Sequence, residues 1–334
     1  MEIGDWPDPQ IECDTDVILA VRSVGICGSD VHYYVDGGIG AGRVRYPHIM
    51  GHEISGIVTE VGAGVSRVEP GDLVAVDPAM TCGQCQQCRA GRVQTCLNQR
   101  FRCVPGVADG CVSERVRMPE ACCYPVGDGL TADRASLCEP LSIGIYAARL
   151  CGVSLKDARV AILGSGPIGL SVLLAARAVG VGHVAVTDKL PGRVHVARDH
   201  GAADWAGLPD EMSAAVTTGS LQPFDVVYEC CGDQGALDQA IDMLVPGGEL
   251  LVVGIPPGNR ISFDINQMRR KEIRIQNVRR QNDCVQEAVQ LLADGAIDVD
   301  FMITHHYPFE KTQEAFELVS HYRDGVIKAM IEVS

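Results

Sequence analysis

The sequence predicts an α/β protein with a second, β-rich domain, and two patterns along the chain carry that prediction. Residues 1–140 contain short alternating runs such as "VILAV" and "GDLVAV", separated by turn signals such as "EPGD". Alternation with a period of two and frequent turns indicate short antiparallel strands, so we expect a barrel-like β domain there. From residue 159 onward, apolar strands alternate with amphipathic helices, which indicates parallel βαβ units.

The first of these units contains a glycine-rich turn between a strand and a helix. The stretch "GSGPIG" comprises Gly164, Gly166, Pro167, Ile168 and Gly169 within a G-x-G-x-x-G spacing, after the apolar run "RVAIL". Glycines here permit a tight turn and let a pyrophosphate approach backbone N–H groups at a helix N-terminus. We predict a Rossmann-type dinucleotide site. A turn that merely packs the helix on the strand is the competing interpretation.

The second strand of the unit, in "HVAVTDK", closes on Asp188. A carboxylate at this point accepts hydrogen bonds from ribose hydroxyls and repels a 2′-phosphate, so NAD is predicted rather than NADP. Lys189 and Arg193 follow, and a cation tolerates a phosphate, which weighs against NAD. We interpret Lys189 as solvent-facing and include Arg193 among the cofactor-binding residues.

Four cysteines lie within fifteen residues in the stretch "CGQCQQCRAGRVQTC", namely Cys82, Cys85, Cys88 and Cys96. Such density in a reduced protein is typical of tetrahedral zinc. Iron–sulfur clusters are the competitor, but their usual spacings end in Cys-Pro or contain a four-residue gap. A redox pair would not need four thiols. We predict a structural zinc that staples the 82–96 lobe to the β domain.

A second set of possible metal ligands is spread along the chain. Cys27 lies in "GICGSDVH", His52 and Glu53 lie in "GHE", and Glu139 lies in "CEPLSIG". Thiolate, imidazole and carboxylate ligands from separate segments suit a catalytic zinc that keeps one position open. Taken singly, Cys27 is most simply interpreted as a core cysteine and Glu53 as a surface acid. Glu139 can also cap the helix that follows.

Composition narrows the class of protein. The net charge of −15 argues against a nucleic-acid or anionic-membrane surface. No run of about 18 apolar residues predicts a membrane span, and the N-terminus has no signal-peptide pattern. Fifteen cysteines without a secretion signal indicate a reducing compartment, so we expect a cytoplasmic protein.

Several long motifs together resemble the zinc-dependent medium-chain dehydrogenases: "GICGSDVHYY", "MGHEISGIVTEVG", the four-cysteine lobe, "EPLSIGIYA" and "GSGPIG". The "VHYY" and "EPLS" stretches are similar to the polyol branch, the sorbitol and xylitol dehydrogenases. The resemblance implies a GroES-like catalytic domain over residues 1–140 and 277–334, including the 82–96 lobe. It also implies an inserted Rossmann domain over residues 141–276.

The resemblance further implies roles for individual residues. The Cys27, His52 and Glu53 side chains would bind the catalytic zinc, and Glu139 would do so directly or through water. By the same motifs, Ser29 would take the proton of the substrate hydroxyl and His32 would pass it to solvent. Tyr33 and Arg279 would bind the substrate.

The implied activity is hydride transfer from a secondary hydroxyl of a polyol to NAD, which gives a ketose. L-Threonine 3-dehydrogenase, 2,3-butanediol dehydrogenase and L-idonate dehydrogenase remain open as alternatives, and a non-catalytic dinucleotide sensor is an alternative of another class. The family implies a homodimer or homotetramer. We expect the apolar strand "GELLVVGIPPG" at a sheet edge, where exposed strands seek partners.

Overall fold

The computed structural model describes residues 1–40 and 42–333 of the chain. These residues form two compact units, Met1–Glu139 with Val285–Ser334, and Pro140–Cys284. The chain returns to the first unit at Val285, whereas the expected boundary is at residue 277. Within the described ranges, no helix combines the length and apolarity that crossing a bilayer requires.

The strands, in chain order, are β1 Asp16–Gly25, β2 Gly38–Ile39, β3 Gly42–Arg43, β4 Glu53–Val61, β5 Leu73–Val76, β6 Ala79–Met80, β7 Arg100–Phe101, β8 Arg115–Pro119, β9 Cys123–Pro125, β10 Arg159–Leu163, β11 His183–Thr187, β12 Trp205–Gly207, β13 Phe224–Glu229, β14 Leu244–Val252, β15 Arg274–Asn277, β16 Ile303–Pro308 and β17 Lys328–Glu332. The helices are α1 Gly28–Val35, α2 Gln86–Arg89, α3 Ala132–Ser136, α4 Cys138–Leu150, α5 Pro167–Ala178, α6 Pro191–Asp199, α7 Pro209–Thr218, α8 Gln234–Met243, α9 Ile265–Lys271, α10 Val285–Ala293 and α11 Thr312–Ser320.

The first unit is built on a mainly antiparallel sheet in the order β16-β17-β1-β4-β5-β9, with β8 also paired to β1. Strand β1 pairs antiparallel with β4, β8 and β17, so it lies at the centre of the unit. Its side chains are buried at almost every position, and Val17, Leu19 and Ile54 pack in one core with Phe316. This is the β domain that the alternating runs predict.

The pairing of β1 with β4 determines where the candidate ligands lie. In the antiparallel register Gly25 is opposite Glu53, so the end of β1 is beside the start of β4. Helix α1 begins three residues after β1 ends, and Cys27 is its N-cap. The fold thereby brings Cys27 close to His52 and Glu53, which are distant from it in sequence.

The second unit contains a parallel sheet in the order β12-β11-β10-β13-β14-β15. The sequence patterns predict four of these strands but miss the short strands β12 and β15. Strand β14 pairs with both β13 and β15, so the expectation that residues 248–258 form a sheet edge is wrong. The edges are β12 and β15, and the sequence "RIQN" of β15 lacks an apolar pattern. The strand order reverses beside β10, which is where open α/β sheets bind ligands.

Candidate functional site

Cys27, His52 and Glu53 form a compact group of possible metal ligands. One ligand atom from each lies within 4.8 Å of the other two. His52 and Glu53 are buried, whereas Cys27 is partly exposed, so the group is accessible from one side. Glu53 Oε1 is buried and has no hydrogen-bond partner among the described residues. An unpaired buried carboxylate oxygen is costly, and a cation would satisfy it. The donor set therefore fits zinc with one open position.

A buried lysine contacts this group from the C-terminal strand. Lys328 Nζ in β17 donates hydrogen bonds to Glu53 Oε2 and, at 3.0 Å, to the Ile26 carbonyl oxygen. Burial would lower the pKa of Lys328, but the Glu53 charge raises it above its ordinary value. Gly25 leaves room for the pair, because a Cβ there would lie 2.4 Å from Glu53 Oε2. Sequence analysis missed Lys328; its signal is a single cation within an apolar strand.

Asp30 is a second residue that sequence analysis missed. It is at the third position of α1, where its Oδ2 accepts the Cys27 backbone N–H at 3.1 Å. Its Oδ1 accepts the Gly51 N–H at 3.3 Å and lies 3.3 Å from His52 Nδ1. Burial would raise the pKa of Asp30, but His52 holds it below its ordinary value. Burial would lower the pKa of His52, but Asp30 and Cys27 raise it well above its ordinary value. Asp30 therefore contacts both neighbours, Cys27 through a hydrogen bond and His52 through a charge contact, while His52 Nδ1 meets no hydrogen-bond geometry among the described residues.

Glu139 is buried in the first turn of α4, close to the same group but outside the set that meets within 4.8 Å. Burial raises the pKa of Glu139 to about 7; the nearby Glu53 and Asp77 add to the increase, whereas His52 opposes it. These electrostatic effects indicate a carboxyl group near the ligands. Its predicted contact with the zinc, directly or through water, stays a prediction.

The predicted proton-relay and substrate residues of the first unit lie on α1. Ser29 and His32 are three residues apart and therefore share one helix face, and both are partly exposed. His32 Nδ1 lies 2.8 Å from Asp36 Oδ2 at the helix end. The Tyr33 ring meets the His48 ring nearly edge-on, with the centroids 6.1 Å apart. Sequence analysis missed Asp36 and His48.

The four cysteines of the 82–96 lobe surround a single point. The Sγ–Sγ distances are 3.5 Å for Cys85 to Cys88, 3.9 Å for Cys85 to Cys96 and 3.5 Å for Cys96 to Cys82. Four thiolates at the usual Zn–S distance of about 2.3 Å form a tetrahedron with edges of about 3.8 Å. Backbone N–H donors lower the pKa of Cys82 to about 6, whereas burial and hydrogen bonds to neighbouring sulfurs raise that of Cys88 to about 12. The geometry fits a tetrahedral zinc.

The glycine turn of the second unit joins β10 to α5. Gly164 has φ +100°, a conformation that side chains disfavour. A Cβ on Gly169 would lie 1.8 Å from the Gly164 carbonyl oxygen, so only glycine lets the helix approach the strand this closely. Pro167 is the first residue of α5, and the turn leaves the helix N-terminus ready for an anion.

Two charged side chains flank this turn. Asp188, buried at the end of β11, accepts backbone N–H groups of Ser165 at 2.8 Å and Leu190 at 2.9 Å. The nearest guanidinium nitrogen of Arg193 lies 3.2 Å from the point where a Cβ on Gly166 would be. A fixed carboxylate and a cation beside a glycine turn fit the ribose and phosphates of a dinucleotide.

Comparison with known proteins gives the family. Residues 13–128 match the model of the alcohol dehydrogenase GroES-like domain, and residues 167–294 match that of the zinc-binding dehydrogenases. The chain is 34% identical to the sorbitol dehydrogenase of Bacillus subtilis over 333 residues, which cover 99% of this chain and 94% of that protein. It is 32% identical to the L-arabinitol 4-dehydrogenase of Aureobasidium melanogenum, over 95% of this chain and 87% of that protein.

The chain belongs to the zinc-dependent medium-chain dehydrogenases, in the polyol branch. The GroES-like and Rossmann folds, the zinc and the nicotinamide cofactor follow from that membership. A solved oxidoreductase/dehydrogenase of unknown specificity from Escherichia coli matches this dehydrogenase with a TM-score of 0.90 and 29% identity, over 97% of this chain and 94% of that chain.

The remaining predicted residues of this dehydrogenase lie in its second unit. Ile168 is partly exposed in the first turn of α5, and Lys189 is exposed, as the solvent-facing interpretation requires. Arg279 is exposed and lies two residues beyond β15. Its predicted role in substrate binding stays a prediction.

Proposed function

We propose that this dehydrogenase oxidises a secondary hydroxyl of a sorbitol- or xylitol-like polyol to a ketose, with NAD as the hydride acceptor. The observation that carries the proposal is the buried ligand group of Cys27, His52 and Glu53, with its unpaired Glu53 oxygen and its one accessible side. Relatives named for sorbitol and for L-arabinitol support the polyol class and not one member of it.

In this proposal each chain holds two zinc ions. One is bound by Cys27, His52 and Glu53, with Glu139 close by, and the other by the four cysteines of the 82–96 lobe. Zinc at the first site supplies a Lewis acid that favours the deprotonated alcohol. Two carboxyl groups beside the open position give a polar site, which suits a substrate with vicinal hydroxyls better than a simple alcohol.

The chain's own residues manage the proton and position the cofactor. Ser29 takes the proton of the substrate hydroxyl, and His32, which is partly exposed and held by Asp36, releases it to solvent. The N–H groups at the start of α5 and the Arg193 guanidinium bind the pyrophosphate. Asp188 accepts hydrogen bonds from the ribose hydroxyls. NAD supplies the hydride acceptor.

A substrate panel tests this proposal. Purified enzyme is assayed for NADH formation with sorbitol, xylitol, L-arabinitol, 2,3-butanediol, L-idonate and L-threonine, with NAD and then NADP. We expect the highest kcat/KM for a polyol with NAD. A higher value for the diol, idonate or threonine would favour that alternative. Binding of NAD without turnover of any substrate would favour the non-catalytic sensor.

Glu139 provides a second test because its two interpretations diverge. If it contacts the zinc site, Glu139→Ala lowers kcat by about two orders of magnitude, and Glu139→Gln, which keeps the shape, also lowers it. Zinc in the 82–96 lobe stays bound in both variants. Near-normal polyol turnover in Glu139→Ala would show that Glu139 only caps α4 and has no role at the zinc site.

The proposal includes a homodimer or homotetramer in the cytoplasm. The exposed edge strand β15 can pair with another chain, and none of the fifteen cysteines, all of them among the described residues, forms a disulfide, which is compatible with a reducing compartment. Sedimentation at micromolar concentration should give a multiple of 35.7 kDa. A mass of one chain would contradict the oligomer.

A further inference from the structure

Cys103 has an unusual backbone conformation beside the proposed catalytic zinc site. It follows β7, is 1% exposed, and has φ +69°. A residue with a side chain rarely adopts this left-handed conformation, and where one does, the surrounding structure holds it there. Glycine would occupy the position without strain, so the presence of a side chain needs a reason.

The contacts of the Cys103 thiol supply that reason. Its Sγ donates to Asp30 Oδ1 at 3.1 Å and lies 4.0 Å from His48 Nε2. The same Asp30 oxygen accepts the Gly51 N–H and faces His52 Nδ1 at 3.3 Å. Ligand atoms of Asp30, His52 and Cys103 lie within 4.8 Å of one another, and all three residues are buried. The thiol therefore contacts the carboxylate that faces a proposed zinc ligand.

We propose that Cys103 is a positioning residue for the zinc ligand His52. Its thiol proton fixes the Asp30 carboxylate, and Asp30 in turn fixes the rotation of the His52 ring toward Cys27 and Glu53. Mutation of a partner that orients a ligating histidine typically costs about 10- to 100-fold in metal affinity or activity. The inference rests on the proposed zinc site. The competing interpretation is a buried cysteine that only fills space.

Three substitutions separate the two interpretations. Cys103→Ala removes the donor and keeps the strained backbone, Cys103→Ser keeps a donor, and Cys103→Gly removes the donor but relieves the strain. Cys123→Ala is the matched control, because Cys123 is equally buried and its thiol contacts the Pro119 carbonyl oxygen instead.

The readouts are the zinc affinity of the Cys27, His52 and Glu53 site, by chelator competition on the full-length holoenzyme, and the visible spectrum after cobalt replaces that zinc. We expect affinity to fall by about 10- to 100-fold in Cys103→Ala and Cys103→Gly, with a changed cobalt spectrum. Cys103→Ser should recover to within about fivefold of the wild type, and Cys123→Ala should match it. Cys103→Gly should melt no lower than Cys103→Ala while binding zinc as weakly.

Wild-type affinity and spectrum in both Cys103→Ala and Cys103→Gly would overturn the inference, as would equal losses in the serine and alanine variants. Failure of the proposed function looks different. In that case Cys27→Ser would leave the zinc content of the enzyme unchanged, whatever happens at Cys103.

Discussion

The four cysteines of the 82–96 lobe come from one stretch of fifteen residues, whereas the other ligand group combines the end of β1 with the start of β4. In the lobe, all four possible ligands are thiols, and a short helix and a turn set their spacing. At the second site the possible ligands are a thiol, an imidazole and a carboxylate, and a lysine from β17 pairs with the carboxylate.

This difference teaches which interactions each group depends on. The lobe depends on local chain geometry and on the metal itself, so it should act as a separable clip. The Cys27 group depends on strand register and on a buried ion pair contributed from the far end of the sequence. Disturbing the β domain should therefore affect catalysis, and disturbing the lobe should mainly affect stability.

The largest expected effect is that of Cys27→Ser. It removes a thiolate from the Cys27 group and should lower polyol kcat/KM by about a thousandfold, equivalent to about 4 kcal/mol of transition-state stabilisation. Metal analysis should show a loss of one zinc per chain, with little change in Tm. Cys13→Ser, at an exposed cysteine, is the control. Retained polyol turnover in Cys27→Ser would show that the catalytic metal is bound elsewhere, and the contrast between the Cys27 group and the lobe would fail.

The next effect concerns the buried ion pair between Lys328 and Glu53, which belongs to the Cys27 group and has no counterpart among the four lobe cysteines. Lys328→Met removes the ammonium that contacts Glu53 Oε2, so in zinc-depleted enzyme the buried carboxylate has no cation and the fold should lose about 3–5 kcal/mol of stability. The double variant Lys328→Met with Glu53→Gln removes both charges and should regain part of that stability. Urea unfolding of the wild type, both single variants and the double variant measures the coupling. Strictly additive losses would show that the pair is not coupled.

Cys85→Ser tests the other side of the comparison. Loss of one thiolate should release the lobe zinc and lower stability by about 2–3 kcal/mol, seen as a fall of several degrees in Tm. The kcat for polyols should stay within about threefold, because the lobe shares no ligand with the Cys27 group. A collapse of kcat at a temperature where the variant is folded would show that the lobe is not a separable clip.

The same contrast explains what could be predicted from the sequence. The lobe and the glycine turn are contiguous, so spacing and local pattern predict both the residues and their chemistry. Residue types alone suggested the dispersed ligands Cys27, His52 and Glu53, and the motif resemblance was needed to assign them to one zinc, since no periodicity connects them. Lys328 was missed because strand register brings it to the site from the far end of the sequence, and Asp30 because its contacts depend on its position in α1, which faces it toward the Gly51 and His52 segment.

The parallel sheet shows a similar limit. Four strands have apolar patterns and were predicted, but β12 and β15 are short and partly exposed, so their sequences do not distinguish them from loops. Their absence from the prediction led to the wrong placement of β14 at the edge. Pairing of a short polar strand is determined by the neighbouring strand that offers free backbone groups, which a single sequence does not reveal.

The smallest expected effect concerns the third contiguous feature, the dinucleotide turn. Asp188 performs two tasks there, since its charge opposes a 2′-phosphate and its oxygen accepts the Ser165 N–H at 2.8 Å. Asp188→Asn removes the charge and keeps an acceptor, so it isolates the first task. Charges a few ångströms apart near a protein surface interact by a few kcal/mol at most, and solvent reduces this. We expect the ratio of kcat/KM for NADP to that for NAD to rise by about tenfold.

Asp188→Ser removes the charge and shortens the acceptor, so the ratio should rise by a similar factor while KM for both cofactors increases. Arg193 lies beside the turn and binds the pyrophosphate in the proposal, so Arg193→Gln in the Asp188→Asn background should raise KM for both cofactors and leave the ratio nearly unchanged. Steady-state kinetics with both cofactors at fixed polyol concentration measure all four ratios. A wild-type preference for NADP would show that the Asp188 carboxylate, held by two backbone N–H groups, does not decide the cofactor.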